Sequence, residues 1–120
     1  MKRDMDLIKF LLAMMENAPS GSNLHPAPSD FPEEERPSPG DLDEHCRLVV
    51  ERGLARGTKT SVGWVLTGLT WEGHDFLDNS RDSKVWRAAK NAAGHLSFGV
   101  FVRVLSEVAT RYAMSQIVGF

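Results

Sequence analysis

The chain has 120 residues, 42% hydrophobic and 25% charged, with a formal net charge of −2 and a pI near 6.1. That length suits one domain with a real core, and the weakly acidic balance does not announce a nucleic-acid binder, whose domains are typically strongly basic. The single cysteine, Cys46, forms no internal disulfide, so the fold does not depend on an oxidising compartment and a cytoplasmic location is expected.

The first predicted element is an amphipathic helix over Asp4–Asn17, because Met5, Ile8, Leu11, Leu12 and Met15 recur at helical spacing. The basic pair ahead of it superficially resembles a signal peptide, but Asp4, Asp6 and Lys9 interrupt the apolar run. No stretch of about 18 apolar residues occurs, so no membrane span is expected. Ala18–Gly40 reads as a loop. It holds all six prolines, Pro19, Pro26, Pro28, Pro32, Pro37 and Pro39, which remove backbone donors and break periodic structure. One short helical turn fits near Phe31–Arg36, and the loop reads either as packed on the core or as a mobile recognition segment.

A second helix is predicted over Leu42–Arg52, with Asp41 as N-cap, Glu44 three residues on, and Leu42, Cys46, Val49 and Val50 as its buried stripe. Gly53 stops it. Leu54–Leu69 reads as a β-hairpin whose second arm, SVGWVLTGL, is rich in residues that suit a pleated surface. Thr70 then caps the helix opened by LTWEGHDFLD. In it, Gly73 allows close approach to the sheet, Trp71, Phe76 and Leu77 anchor the C-terminal half of the core with any one of them left partly exposed, and His74 makes a fixed hydrogen bond. On that reading His74→Ala lowers thermal stability. A further helix over Asp82–Ala93 puts Val85, Trp86 and Ala89 on one side and ends at Gly94. Ser97 caps the last helix, Phe98 to about Ile117, with a stripe of Phe101, Val104, Leu105, Val108 and Tyr112 widened by Phe98.

The fold class expected is α+β, mostly α. A helix that ends in Gly-Leu and feeds a hairpin is the pattern of a winged helix-turn-helix, with a two-stranded wing and a helical C-terminal extension. The winged-helix core is expected over 1–81, with its proline-rich loop at 18–40, and the extension over 82–120, in a single domain overall. The helix 42–52 then holds the recognition-helix position, which enters the major groove in helix-turn-helix readers.

The start MKRDMDLI and the segment LTWEGHDFLDNSRDSKVWRAAK resemble a phage- and prophage-associated family of about this length whose function is unknown. The resemblance covers nearly the whole chain and implies a winged-helix-like fold. It implies no activity.

Candidate chemistry is sparse. His74 and Asp78 share a helix face, but a catalytic zinc usually needs three protein ligands, and His25, His45 and His95 are scattered. A nucleophile needs a placed base, and Cys46 reads as a small core residue. No phosphate-binding glycine loop is present. No enzyme, catalytic residue, metal or cofactor is therefore expected. For DNA, the segment Asp41–Arg52 sets four acids (Asp41, Asp43, Glu44, Glu51) against Arg47 and Arg52, and an acidic first turn repels phosphates. Arg47, Arg52, Arg56 and Lys59 remain candidate phosphate contacts. Arg81, Lys84, Arg87 and Lys90 recur every third position and read either as a solvated face or as an anion-binding one. The last helix (Phe98, Phe101, Val104, Leu105, Val108, Tyr112) either covers its own core or pairs with a second copy in a homodimer. The expected function is a non-enzymatic protein-interaction module with a host or phage protein as partner and no membrane. The alternative is a DNA-binding transcriptional regulator using the helix 42–52 and the wing 54–69.

Overall fold

The computed structural model of the protein describes residues 1–118. It is mostly helical α+β: α1 (Met5–Asn17), α2 (Pro39–Glu51), β1 (Ala55–Thr60), β2 (Gly63–Leu69), α3 (Trp71–Ser80), α4 (Ser83–Ala93) and α5 (Phe98–Val118), with β1 and β2 forming an antiparallel sheet. The chain divides into two compact units, Met1–His74 and Asp75–Phe120. Phe76, within the second unit, belongs to its aromatic cluster. No helix among the described residues is long and apolar enough to cross a membrane.

In the first unit the Asp4 carboxylate caps α1, accepting from the Asp6 and Leu7 amides at 3.0 and 3.2 Å. The apolar face of α1 buries Met5, Leu7, Ile8, Leu11 and Leu12. Leu7 and Leu11 pack with Phe31, Leu42, Cys46 and Leu66, so α1, the proline-rich segment, α2 and β2 share one core.

The proline-rich segment is packed. Leu24 and Leu66 exchange both backbone hydrogen bonds at 2.9 Å. Phe31 is buried, its ring 4.6 Å from that of Phe10. Pro28–Asp30 and Glu33–Glu35 form short 3-10 turns, the second within the stretch where one helical turn was expected. Side chains satisfy the backbone that prolines cannot: the Asp30 carboxylate accepts from the Ala27 amide at 2.9 Å, and the Arg36 guanidinium donates to the Pro28 and Phe31 carbonyls at 3.1 and 3.3 Å.

The start of α2 corrects the sequence reading. The helix begins at Pro39, and its cap is Ser38, whose hydroxyl accepts from the Asp41 amide at 3.1 Å. Asp41 therefore stands in the first turn and is not the cap. Proline is at home at the first helical position, where its missing N–H has no helical partner to lose. At the other end Gly53 is left-handed (φ 82°), and the Leu54 amide folds back to the Val49 carbonyl at 2.9 Å.

The hairpin is tied at its base. The Thr70 amide donates to the Leu54 carbonyl at 3.2 Å, and the Thr70 hydroxyl donates to the Gly53 carbonyl while accepting from the Gly73 amide at 3.1 Å. Gly73 lies against this knot, since a Cβ there would sit 2.0 Å from the Leu54 carbonyl oxygen. Of the three apolar residues Trp71, Phe76 and Leu77, Phe76 and Leu77 are buried and Trp71 is the one exposed, at 83%. Helical residues two apart point about 200° from one another, so the face that buries Gly73 turns Trp71 outward.

In the second unit Phe76, Trp86, Phe98 and Phe101 form an aromatic cluster, with Trp86 edge-on to Phe76 at 5.8 Å and to Phe101 at 5.5 Å. The Asp82 carboxylate caps α4 by accepting from the Lys84 and Val85 amides at 2.8 and 3.1 Å. On α5, Phe101 and Leu105 are buried and Phe98, Val104 and Val108 are half-buried. Phe101 and Leu105 are thus core residues and offer no surface to a second copy. Tyr112 falls outside the buried stripe and is exposed.

Gly73→Ala gives a test with a sign. On an open helix face the change stabilises by up to ~1 kcal/mol. Against a fixed carbonyl it is expected to destabilise by about 1–3 kcal/mol, read from urea unfolding.

Candidate functional site

The outward face of α2 and the adjoining hairpin would be the reading surface of a winged helix. Two of its cations, Arg47 and Lys59, are paired with carboxylates. Arg47 grips both oxygens of Glu44, at 3.0 and 2.6 Å, and reaches Glu51 at 2.6 Å. This bidentate bond holds the Glu44 carboxyl below its ordinary value, and the two acids push Arg47 further above its own. Lys59, on β1, pairs with Asp43 of α2. These pairs are exposed and add little stability. Their effect is to leave a face of mixed charge.

Arg56 differs from these. It stands at a β-bulge: Arg56 faces Gly68 and Gly57 faces Leu66, so Thr67 is the extra residue. It makes no hydrogen bond or ion pair among the described residues. Arg52 is exposed at the C-cap of α2.

The four basic residues around α4 do not form one surface. Each three-residue step falls about 60° short of a full turn, so the series winds around the helix. Arg81 precedes α4 and pairs with Asp78 at 3.0 Å. Lys90 lies 5.6 Å from the centre of the Trp86 ring. Lys84 and Arg87 are exposed.

The two histidines exchange roles relative to expectation. His74 is exposed on the first turn of α3, and its imidazole makes no hydrogen bond among the described residues. The architectural histidine is His45, 1% exposed. A backbone N–H can only donate, so Nε2 accepts from the Asp4 amide at 2.9 Å. Nδ1 then carries the proton and donates to the Asp41 carbonyl at 2.7 Å. The imidazole fastens the N-terminus of α1 to the first turn of α2. Sequence reasoning overlooked it, although it stands three residues after Leu42 and four before Val49, on the buried stripe. Beside it Cys46 is buried, and its thiol is pushed up to about 12, first by burial and then by the charge of Asp43. Among the described residues no group of three or more His, Cys, Asp or Glu side chains stands close enough to hold a metal ion.

Residues 2–98 match the DUF2513 family of hypothetical proteins, and the chain belongs to that family. A protein of Haemophilus influenzae, described as uncharacterized, is 28% identical over 115 residues, covering 91% of this chain and 92% of its own length. No solved structure matches the chain. The family match ends at the first residue of α5.

The two histidines separate under mutation. His45→Ala leaves the Asp4 amide without its acceptor and is expected to cost about 1–3 kcal/mol, whereas His74→Ala should stay within about 0.5 kcal/mol of the parent; urea unfolding measures both. Cys46 should release almost no chromophore from a disulfide reagent at pH 8 in the native protein, and one equivalent per chain after denaturation.

Proposed function

We propose that the chain is a winged-helix protein-interaction module of the phage- and prophage-associated kind, without enzymatic activity. The winged-helix assignment is supported by the Leu24–Leu66 pairing, which lays a short extended segment between α1 and α2 antiparallel to β2. The two 3-10 turns occupy the place of a second helix, and α2 leads through Gly53 and Leu54 into the hairpin. The reading without enzymatic chemistry leans on two groups held in structural roles: His45 has both ring nitrogens engaged, and Cys46 is a buried thiol.

The observation that carries the choice of partner is the pairing on the outward face of α2. Arg47 is held by Glu44 and Glu51, and Lys59 by Asp43, so two of the four cations expected to meet phosphate already hold carboxylates. Binding duplex DNA would require breaking these pairs beside an acidic first turn. A protein surface of mixed charge suits the face better.

Fluorescence anisotropy against mixed-sequence duplex DNA tests the reading. No binding is expected at low salt. Binding that weakens steeply with salt, and that is lost when Arg56 and Lys59 are both changed to Glu, would overturn it in favour of a DNA-binding regulator using α2 and the β1–β2 wing.

A further inference from the structure

We propose that a cleft in the first unit is a binding site for an anionic group, carboxylate or phosphate, on a small ligand. The cleft has a volume of about 270 Å³ and lies among the end of α1, the turn that follows it, the Leu66–Leu69 segment of β2 and the first turn of α3. Three donors from three separate elements line it: the Arg56 guanidinium from β1, the His74 imidazole from α3 and the Ser20 hydroxyl from the turn. None of the three side chains has a hydrogen bond or ion pair among the described residues. Glu16 also lines the cleft, and its carboxylate disfavours a ligand of high negative charge.

Two features of the hairpin aim Arg56. The bulge between Arg56 and Gly57 shifts the register at that residue, and bulges re-aim the side chains beside them. Opposite Arg56 stands Gly68, which has no side chain to hold the guanidinium off: a Cβ there would lie 2.5 Å from Nη2. The arginine therefore lies down across β2, at the cleft, instead of standing out from the strand. A planar guanidinium with all its donors available is the side chain best suited to grip carboxylate or phosphate in a bidentate bond. The far wall is fixed in advance, since the turn after α1 is tied to β2 by the Leu24–Leu66 pair. Binding need not order it first.

The site does not rest on the protein-interaction reading. Its test is a ¹H–¹⁵N chemical-shift titration of the full chain with inorganic phosphate and, in a second series, with succinate, both at constant ionic strength. Saturable shifts are expected at the Arg56 side-chain Nε–H, at His74 and at the amides of residues 20–22. The anion that saturates at lower concentration identifies the ligand chemistry. Arg56→Gln should weaken binding about tenfold or more. Gly68→Ala keeps every donor but displaces the guanidinium, and should also weaken it. Lys59→Gln, which removes a charge from the same hairpin outside the cleft, should change nothing; melting temperatures confirm that each variant is folded. The proposal fails if neither anion saturates, if Lys59→Gln weakens binding as much as Arg56→Gln, or if the shifts centre on Lys84 and Arg87.

Discussion

The first unit depends on one reciprocal pair of backbone hydrogen bonds, between Leu24 and Leu66. A two-stranded hairpin alone is marginal in water. Here β2 is bonded to β1 on one edge and, at Leu66, to Leu24 on the other. That second edge brings the proline-rich segment onto the sheet, where Phe31 can reach Phe10 and the core shared by α1, α2 and β2. Without it the segment would have few backbone donors and no ladder to join. With it, the same residues become one wall of a cleft.

The two sides of α2 show how one helix divides structural and surface work. Its inner side carries His45, Cys46 and Val49, all buried, and the imidazole there supplies a directional link to α1 that apolar packing lacks. Its outer side carries acids and arginine in close pairs. Exposed pairs of this kind contribute little to folding. They determine instead what an approaching molecule meets, and here it meets charges already matched.

Much of this was legible in the sequence. Helical spacing marked α1, α4 and α5, and a β-rich run after Gly-Leu marked the hairpin. Boundaries were harder where two signals competed. Ser38 and Asp41 both make good caps, and Pro39 reads as a breaker, although as a first helical residue it is compatible. Leu24 carried no signal, because a single bridging residue among prolines has no periodicity. Residue type left open which of Trp71, Phe76 and Leu77 is exposed, whereas the helical spacing from Gly73, Phe76 and Leu77 turns Trp71 outward. In the candidate site, the Arg47 pairs follow from three- and four-residue spacing on a helix and were available from the start. The Asp43–Lys59 pair and the cleft around Arg56 were not, since both depend on how the hairpin lies on its neighbours.

The knot of Thr70, Gly53, Leu54 and Gly73 closes the hairpin at its base. Its tip is built differently. There Thr60 bonds only its own turn, and Val62 is 89% exposed. The length of the hairpin is therefore not fixed by what holds it in place. Residues added between Ser61 and Val62 would extend into solvent while the strands below keep their register and the first turn of α3 keeps its seat. That makes the tip a natural point for carrying an epitope or a fluorescent label, and for lengthening the hairpin toward a partner without rebuilding the domain beneath it.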